Sequence, residues 1–152
     1  MIRVLLVDDH PAFLSLIEGE LTALRHLTVV GYAQSGREAL EQVDRLQPDL
    51  VLLDIAMPDM NGLEVARRIK MLARPVAVVL VSLHDTPIYQ LVSTSIADGF
   101  VAKDALDTQL LPLIVGLFPV RLVHTLKGPF GVVIGISLTP PARTSSRPVL
   151  SK

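Results

Sequence analysis

Cysteine is absent from this chain, which excludes disulfides and thiolate metal sites and fits a reducing compartment. Long apolar runs are missing as well. Although hydrophobic residues make up 50% of the sequence, no stretch reaches the roughly 18 residues that a membrane-spanning helix requires. The opening run Met1 to Val7 meets Asp8 and Asp9 too early for a secretory leader. The expectation is a cytoplasmic chain with no membrane contact. Aromatic residues are scarce, at 4%. One segment also lacks acid: residues 1–117 carry 9 Lys and Arg against 15 Asp and Glu, whereas residues 118–152 carry 5 Lys and Arg and no acid. Such a split marks two regions under different constraints.

What is present over residues 2–117 is an alternation of strand and helix patterns. Leu50–Leu53 and Val76–Val81 are continuous apolar runs, and Ile2–Val7 is apolar but for Arg3, as expected of strands covered on both faces of a parallel sheet. Thr28–Ala33 and Gly99–Ala102 are shorter strand candidates. Pro11 opens a helix whose apolar positions are Phe13, Leu16, Ile17, Leu21 and Leu24. Ser35-Gly36-Arg37-Glu38 has capping-box spacing before Ala39, Leu40, Val43 and Leu46. Asn61 and Glu64 repeat that spacing before Ala66, Ile69 and Leu72. Asp85 or Thr86, followed by Pro87, opens a fourth helix bearing Ile88, Leu91, Val92 and Ile96. A fifth starts near Thr108, burying Leu110, Leu111, Ile114 and Val115, with Pro112 tolerated near its first turn. Five β-α units imply an α/β domain with a doubly wound, five-stranded parallel sheet, in the flavodoxin-like order 2-1-3-4-5.

Functional groups in such sheets gather at the carboxyl ends of the strands. The residues there are Asp8 and Asp9 after the first strand, Asp54 after the third, Ser82 after the fourth and Lys103 after the fifth. A single Asp after a strand is commonly a turn residue or helix cap; the joint placement is what points to chemistry. Three clustered carboxylates raise one another's pKa unless a cation relieves them. Magnesium prefers oxygen ligands and commonly takes carboxylates together with phosphate oxygens, and the backbone carbonyl of Ala56 offers one more oxygen.

Val-Asp-Asp-His at 7–10, Leu-Leu-Asp-Ile-Ala-Met-Pro-Asp-Met-Asn-Gly at 52–62, Ser82, and Gly-Phe-Val-Ala-Lys-Asp-Ala at 99–105 together resemble the receiver domains of two-component response regulators. The Lys-Asp-Ala variant is similar to the subfamily with LuxR/NarL-type helix-turn-helix outputs. The resemblance spans residues 2–117. It implies that Asp54 is the phosphoacceptor, served by a phosphohistidine on a sensor histidine kinase. It also implies that Asp9 and Asp54 hold Mg2+ directly with Asp8 close by, that Ser82 hydrogen-bonds the phosphoryl group, and that Lys103 pairs with its charge. Ser82 and Phe100 are the implied switch pair, Phe100 lacking the hydroxyl of the tyrosine often found there. Ala56 and His84 occupy positions that tune phosphoryl lifetime in relatives. A homodimer formed on phosphorylation is a further expectation. The rival enzyme reading is a magnesium-dependent phosphatase or phosphotransferase with an aspartyl nucleophile. Such enzymes usually carry a second acid two residues later, where this chain has Ala56. A third reading keeps the fold without the chemistry.

Residues 118–152 break the pattern, with five prolines, no acid and a glycine-interrupted apolar stretch from Phe130 to Leu138. The segment is too short for the expected helix-turn-helix module, and DNA binding by this chain is not expected. Three readings stand for it: a poorly ordered basic tail, a nucleic-acid arm, or the product of a shifted or truncated reading frame that lost an output domain.

Overall fold

The structure, a computed structural model, describes residues 1–84 and 86–118, together with the backbone of 120–128 and 131–138. The chain forms β1 (Ile2–Val7), α1 (Pro11–Thr22), β2 (Leu27–Ala33), α2 (Gly36–Leu46), β3 (Leu50–Asp54) and α3 (Gly62–Lys70). Then come β4 (Ala77–Ser82), α4 (Pro87–Ile96), β5 (Gly99–Ala102), a 3-10 turn at Lys103–Ala105, and α5 (Leu106–Leu117). Every strand pair in the main sheet is parallel, and the order is β2-β1-β3-β4-β5, the order the sequence predicts.

Two-residue alternation divides the strand side chains between two cores. Ile2, Val4, Leu6, Leu50, Leu52, Val79 and Val81 face α1 and α5 and pack with Leu14, Ile17, Leu21, Leu110 and Ile114. Leu5, Val7, Val51, Leu53, Val78 and Leu80 face the other way and pack with Ala39, Val43, Val65, Ala66 and Ile69. Burial on both faces is why these strands read as nearly continuous apolar runs.

The helix starts follow the local chemistry. The Ser35 hydroxyl accepts the Glu38 N–H at 3.2 Å, but the Glu38 carboxylate reaches back to the Gln34 N–H at 2.8 Å, one residue before the cap. Asn61 accepts from the Leu63 N–H, and Thr86 accepts from the Tyr89 N–H. Asp85 lies outside the described residues.

Several expectations about helix faces are corrected. Leu16 is 57% exposed because α1 turns Leu14, Ile17 and Leu21 inward instead. On α4 only Ser93 is buried, while Ile88 and Leu91 are 74% and 73% exposed. Leu72, Leu111 and Val115 are also exposed. The fifth helix opens at Leu106, not near Thr108, so Pro112 lies inside it, where a proline removes one backbone hydrogen bond.

Phe118, placed by sequence with the tail, is fully buried in the α1–α5 core, and its N–H donates to the Ile114 carbonyl at 3.0 Å. Beyond it, the backbone of β6 (Val120–Gly128) and β7 (Gly131–Leu138) forms a separate two-stranded antiparallel sheet, with Val120 opposite Leu138 and Gly128 opposite Gly131. The β-branched run Val132-Val133-Ile134 suits a strand. Residues 119, 129, 130 and 139–152 of the expected basic tail lie outside the described residues. No helix among the described residues is long and apolar enough to cross a membrane.

Since Phe118 is among the largest fully enclosed side chains, Phe118→Ala is expected to lower the unfolding free energy by about 3–5 kcal/mol. Urea denaturation followed by circular dichroism checks this; a loss below about 1 kcal/mol would place the domain boundary before residue 118.

Candidate functional site

The ends of β1, β3, β4 and β5 meet at one rim of the sheet. Register sets their alignment: Val7 lies opposite Leu53, Asp54 opposite Val81, and Ser82 opposite Ala102. The chain therefore delivers Asp8, Asp9, Asp54, Ser82 and Lys103 to the same edge. Asp8, Asp54 and Ser82 are all nearly inaccessible to solvent.

Lys103 links the carboxylates. Its Nζ donates to Asp8 Oδ2 and lies 3.1 Å from Asp54 Oδ1, and the Lys103 side chain is 7% exposed. The same ammonium sits 4.1 Å from the centre of the Phe13 ring, whose electron-rich face favours a cation in a desolvated setting. Asp8 uses both oxygens: Oδ1 accepts the His10 backbone N–H at 2.8 Å and lies 3.1 Å from His10 Nδ1. The Asp8 N–H donates to the Ala33 carbonyl and ties the rim to β2. Asp9 Oδ1 is buried without a hydrogen-bond partner; His10 Nδ1 is 3.0 Å away, but off hydrogen-bond geometry.

Ser82 Oγ accepts the His84 N–H at 3.0 Å, which leaves the hydroxyl hydrogen for donation. Ala56 is exposed in the loop beyond Asp54. Phe100 is half-buried and packs, with Tyr89 and Ile96, against the α2–α3 side of the sheet. The exposed His84 ring stacks on Tyr89 with centroids 6.2 Å apart.

The loop after Asp54 is held at two points. Asp59 accepts the N–H groups of Gly36 and Arg37 at 2.9 and 3.1 Å, capping α2 from outside, and these bonds hold its carboxyl below the ordinary range. Gly62 is packed directly on the Asp54–Ile55 backbone: a Cβ there would collide with the Asp54 carbonyl and lie 2.8 Å from Ile55 Cα.

Burial pushes the Asp54 carboxyl above its ordinary value; Lys103 pulls it down, and Asp8 and Asp9 add to the rise. Three carboxylates facing one ammonium leave an excess of negative charge, and Asp9 Oδ1 has no donor. That donor set fits a hard divalent cation, which is bound by oxygen.

The structure thus brings together Asp8, Asp54 and Lys103 through direct contacts, with Asp9 and Ser82 at the same rim. Phe100 and His84 lie outside those contacts. Sequence reading passed over two participants. His10 places Nδ1 in a group with Asp8 and Asp9 whose ligand atoms all fall within 4.8 Å; its signal was simply its place after the two acids. Phe13 read as core, and its contact with Lys103 had no sequence signature.

Residues 4–115 match the response regulator receiver domain family. Among curated proteins, the chain is 36% identical over 116 residues to the probable transcriptional regulatory protein NarL of Mycobacterium tuberculosis, covering 75% of this chain and 53% of that one. It is 46% identical over 82 residues to the protein-glutamate methylesterase/protein-glutamine glutaminase of Bacillus licheniformis, covering 54% of this chain and 23% of that one. The chain therefore spans about half the length of the NarL relative and less of the methylesterase. Among solved structures, the signal receiver domain of the putative response regulator NarL from Mycobacterium tuberculosis superposes with a TM-score of 0.70 at 34% identity, covering 76% of this chain and 94% of that one.

Gly62→Ala should cost about 1–3 kcal/mol by overpacking and displace Asp54; urea unfolding measures the cost. A second expectation concerns pH. A raised pKa means that the folded state holds the Asp54 proton more tightly than the unfolded chain does. The penalty for ionised Asp54 is absent below the ordinary value of 3.8 and grows as pH rises toward the folded pKa. Without divalent ions, Asp54→Asn is expected to have a higher urea midpoint than wild type at neutral pH, the gap closing on acidification. An equal or lower midpoint at neutral pH contradicts this.

Proposed function

This chain belongs to the response regulator receiver domain family, and from that premise we propose that Asp54 is its phosphoacceptor, served by a phosphohistidine on a sensor histidine kinase. The observation that carries the assignment is the buried Lys103 ammonium held 3.1 Å from Asp54 Oδ1. An oxygen of Asp54 attacks phosphorus; the P–O bond forms as the P–N bond breaks, and the electron pair leaves with the imidazole of the kinase. Charge on the three equatorial oxygens must be met by fixed positive groups. Lys103 supplies one such charge, and Ser82 donates a hydrogen bond.

Mg2+ is the cofactor this reading implies, held by Asp8, Asp9 and Asp54 and by the Ala56 carbonyl. The unpartnered Asp9 oxygen supports that assignment. The ion supplies positive charge beside the phosphoryl oxygens. Ser82 and the half-buried Phe100 are the proposed switch pair, responding to the added charge and acceptor oxygens on Asp54. The reading places the chain in the cytoplasm, with homodimerisation on phosphorylation and regulation of transcription as the output, by similarity to the NarL relative. The phosphatase alternative is not favoured: Ala56 has no carboxyl to act as general acid.

Purified protein incubated with Mg2+ and acetyl phosphate should acquire one slowly migrating species on a phosphate-retarding gel, lost on brief alkaline treatment. Asp54→Asn should show none, and Lys103→Ala should react roughly 10²–10³-fold more slowly. Persistence of the species in Asp54→Asn would overturn the assignment.

A further inference from the structure

A surface groove between α1 and α5 is lined by apolar residues, Leu24, Leu106 and Leu111 among them, and by two acids, Glu20 and Asp107. Leu106 is buried, Leu24 packs against the core, and Leu111 is exposed. The charge of the two helices has one sign. They contain Glu18, Glu20 and Asp107, and neither lysine nor arginine. Glu18 is engaged by the Tyr32 hydroxyl. Glu20 and Asp107 are exposed, and neither carboxylate has a hydrogen-bond or ion-pair partner among the described residues.

The chain carries a segment of matching chemistry. Residues 139–152 hold Arg143, Arg147 and Lys152 and no acid, and the apolar pair Val149-Leu150 lies between the last two cations. That segment starts within reach of the groove. Val120 lies opposite Leu138 in the β6–β7 register, so at residue 138 the backbone is back within roughly 5.5 Å of residue 120, just past Phe118. Leu111 is about 9 Å back along α5 from Leu117, whereas residues 139–152 can span roughly 46 Å. A tether of that length gives an effective concentration on the order of millimolar, enough to populate surface contacts that are individually weak. The other apolar surfaces offer no such match. The helix α4 exposes Ile88 and Leu91 but has no charged residue. Asp98, in the groove beside β5, is already bound by Lys70 at 2.8 Å.

We propose that the groove between α1 and α5 is the docking site for residues 147–152 of this same chain. Val149 and Leu150 cover Leu24 and Leu111, while Arg147 and Lys152 meet the carboxylates of Glu20 and Asp107. The seated segment occupies this part of both helices, so a second molecule that uses the same face must displace it first.

Because the chain has no cysteine, a nitroxide spin label can be attached at Ser151→Cys alone in the whole chain. Amide NMR signals of Leu24, Asp107 and Leu111 are expected to broaden, while those of Ile88 and Leu91 stay sharp. Glu20→Gln combined with Asp107→Asn should lower the docked-to-free ratio roughly threefold or more, and about 0.5 M sodium chloride should act likewise by screening. Adding Leu150→Asp should abolish the broadening. A mixture of spin-labelled molecules with isotope-labelled, spin-free ones should show none. Broadening that is absent, spread evenly over the domain, or indifferent to these substitutions overturns the proposal. Equal broadening in the mixture seats a second copy's segment in the groove and overturns it as well.

Discussion

The Lys103 ammonium, enclosed between the carboxylates of Asp8 and Asp54, is the contact on which the rim depends. Each of these charges leaves water at a cost of several kcal/mol, and mutual attraction offsets that cost only when geometry and hydrogen bonding are good. The requirement disciplines the whole sheet edge. The ends of β1, β3 and β5 must be in register, the Phe13 ring must lie beneath the cation, and the Asp8 backbone must be pinned to β2 through Ala33. One ammonium against three acids still leaves the rim short of positive charge, a donor set that fits a hard divalent cation.

Much of this was legible from residue order alone. Strands buried on both faces advertise themselves as nearly continuous apolar runs, and Ile2–Val7, apolar but for the exposed Arg3, matches the structure residue for residue, as does the shorter candidate Gly99–Ala102. Because β–α–β topology sends strand ends to one rim, the five polar residues following those runs could be grouped without coordinates. Helix faces were harder. In a chain this apolar, two stripes of one helix can look equally suited to the core, and the sheet's position chooses between them: Leu14 went inside and Leu16 outside, while α4 buried Ser93 and exposed Ile88 and Leu91.

Contacts made at a distance in sequence were hidden for a different reason. Phe118 follows an apparent helix stop and precedes Pro119, so composition assigned it to the tail, although its ring fills space between α5 and the sheet. The Lys103–Phe13 contact joins two residues whose types are each ordinary for their positions. Gly62 was readable as a turn residue, but its tighter constraint, the backbone of Asp54 and Ile55 pressing where a methyl would sit, belongs to three dimensions.

The path of α5 has a consequence for whatever the polypeptide does beyond this domain. The helix departs just after Lys103 and, at 12 residues, runs about 18 Å before Phe118 enters the same core as Ile2, the first residue of β1. The exit is therefore anchored in that core, one helix length from Lys103. A shift at the rim would reach residues beyond Phe118 through that helix, and Pro112, which has no backbone N–H, leaves a gap in its hydrogen-bond ladder along the way.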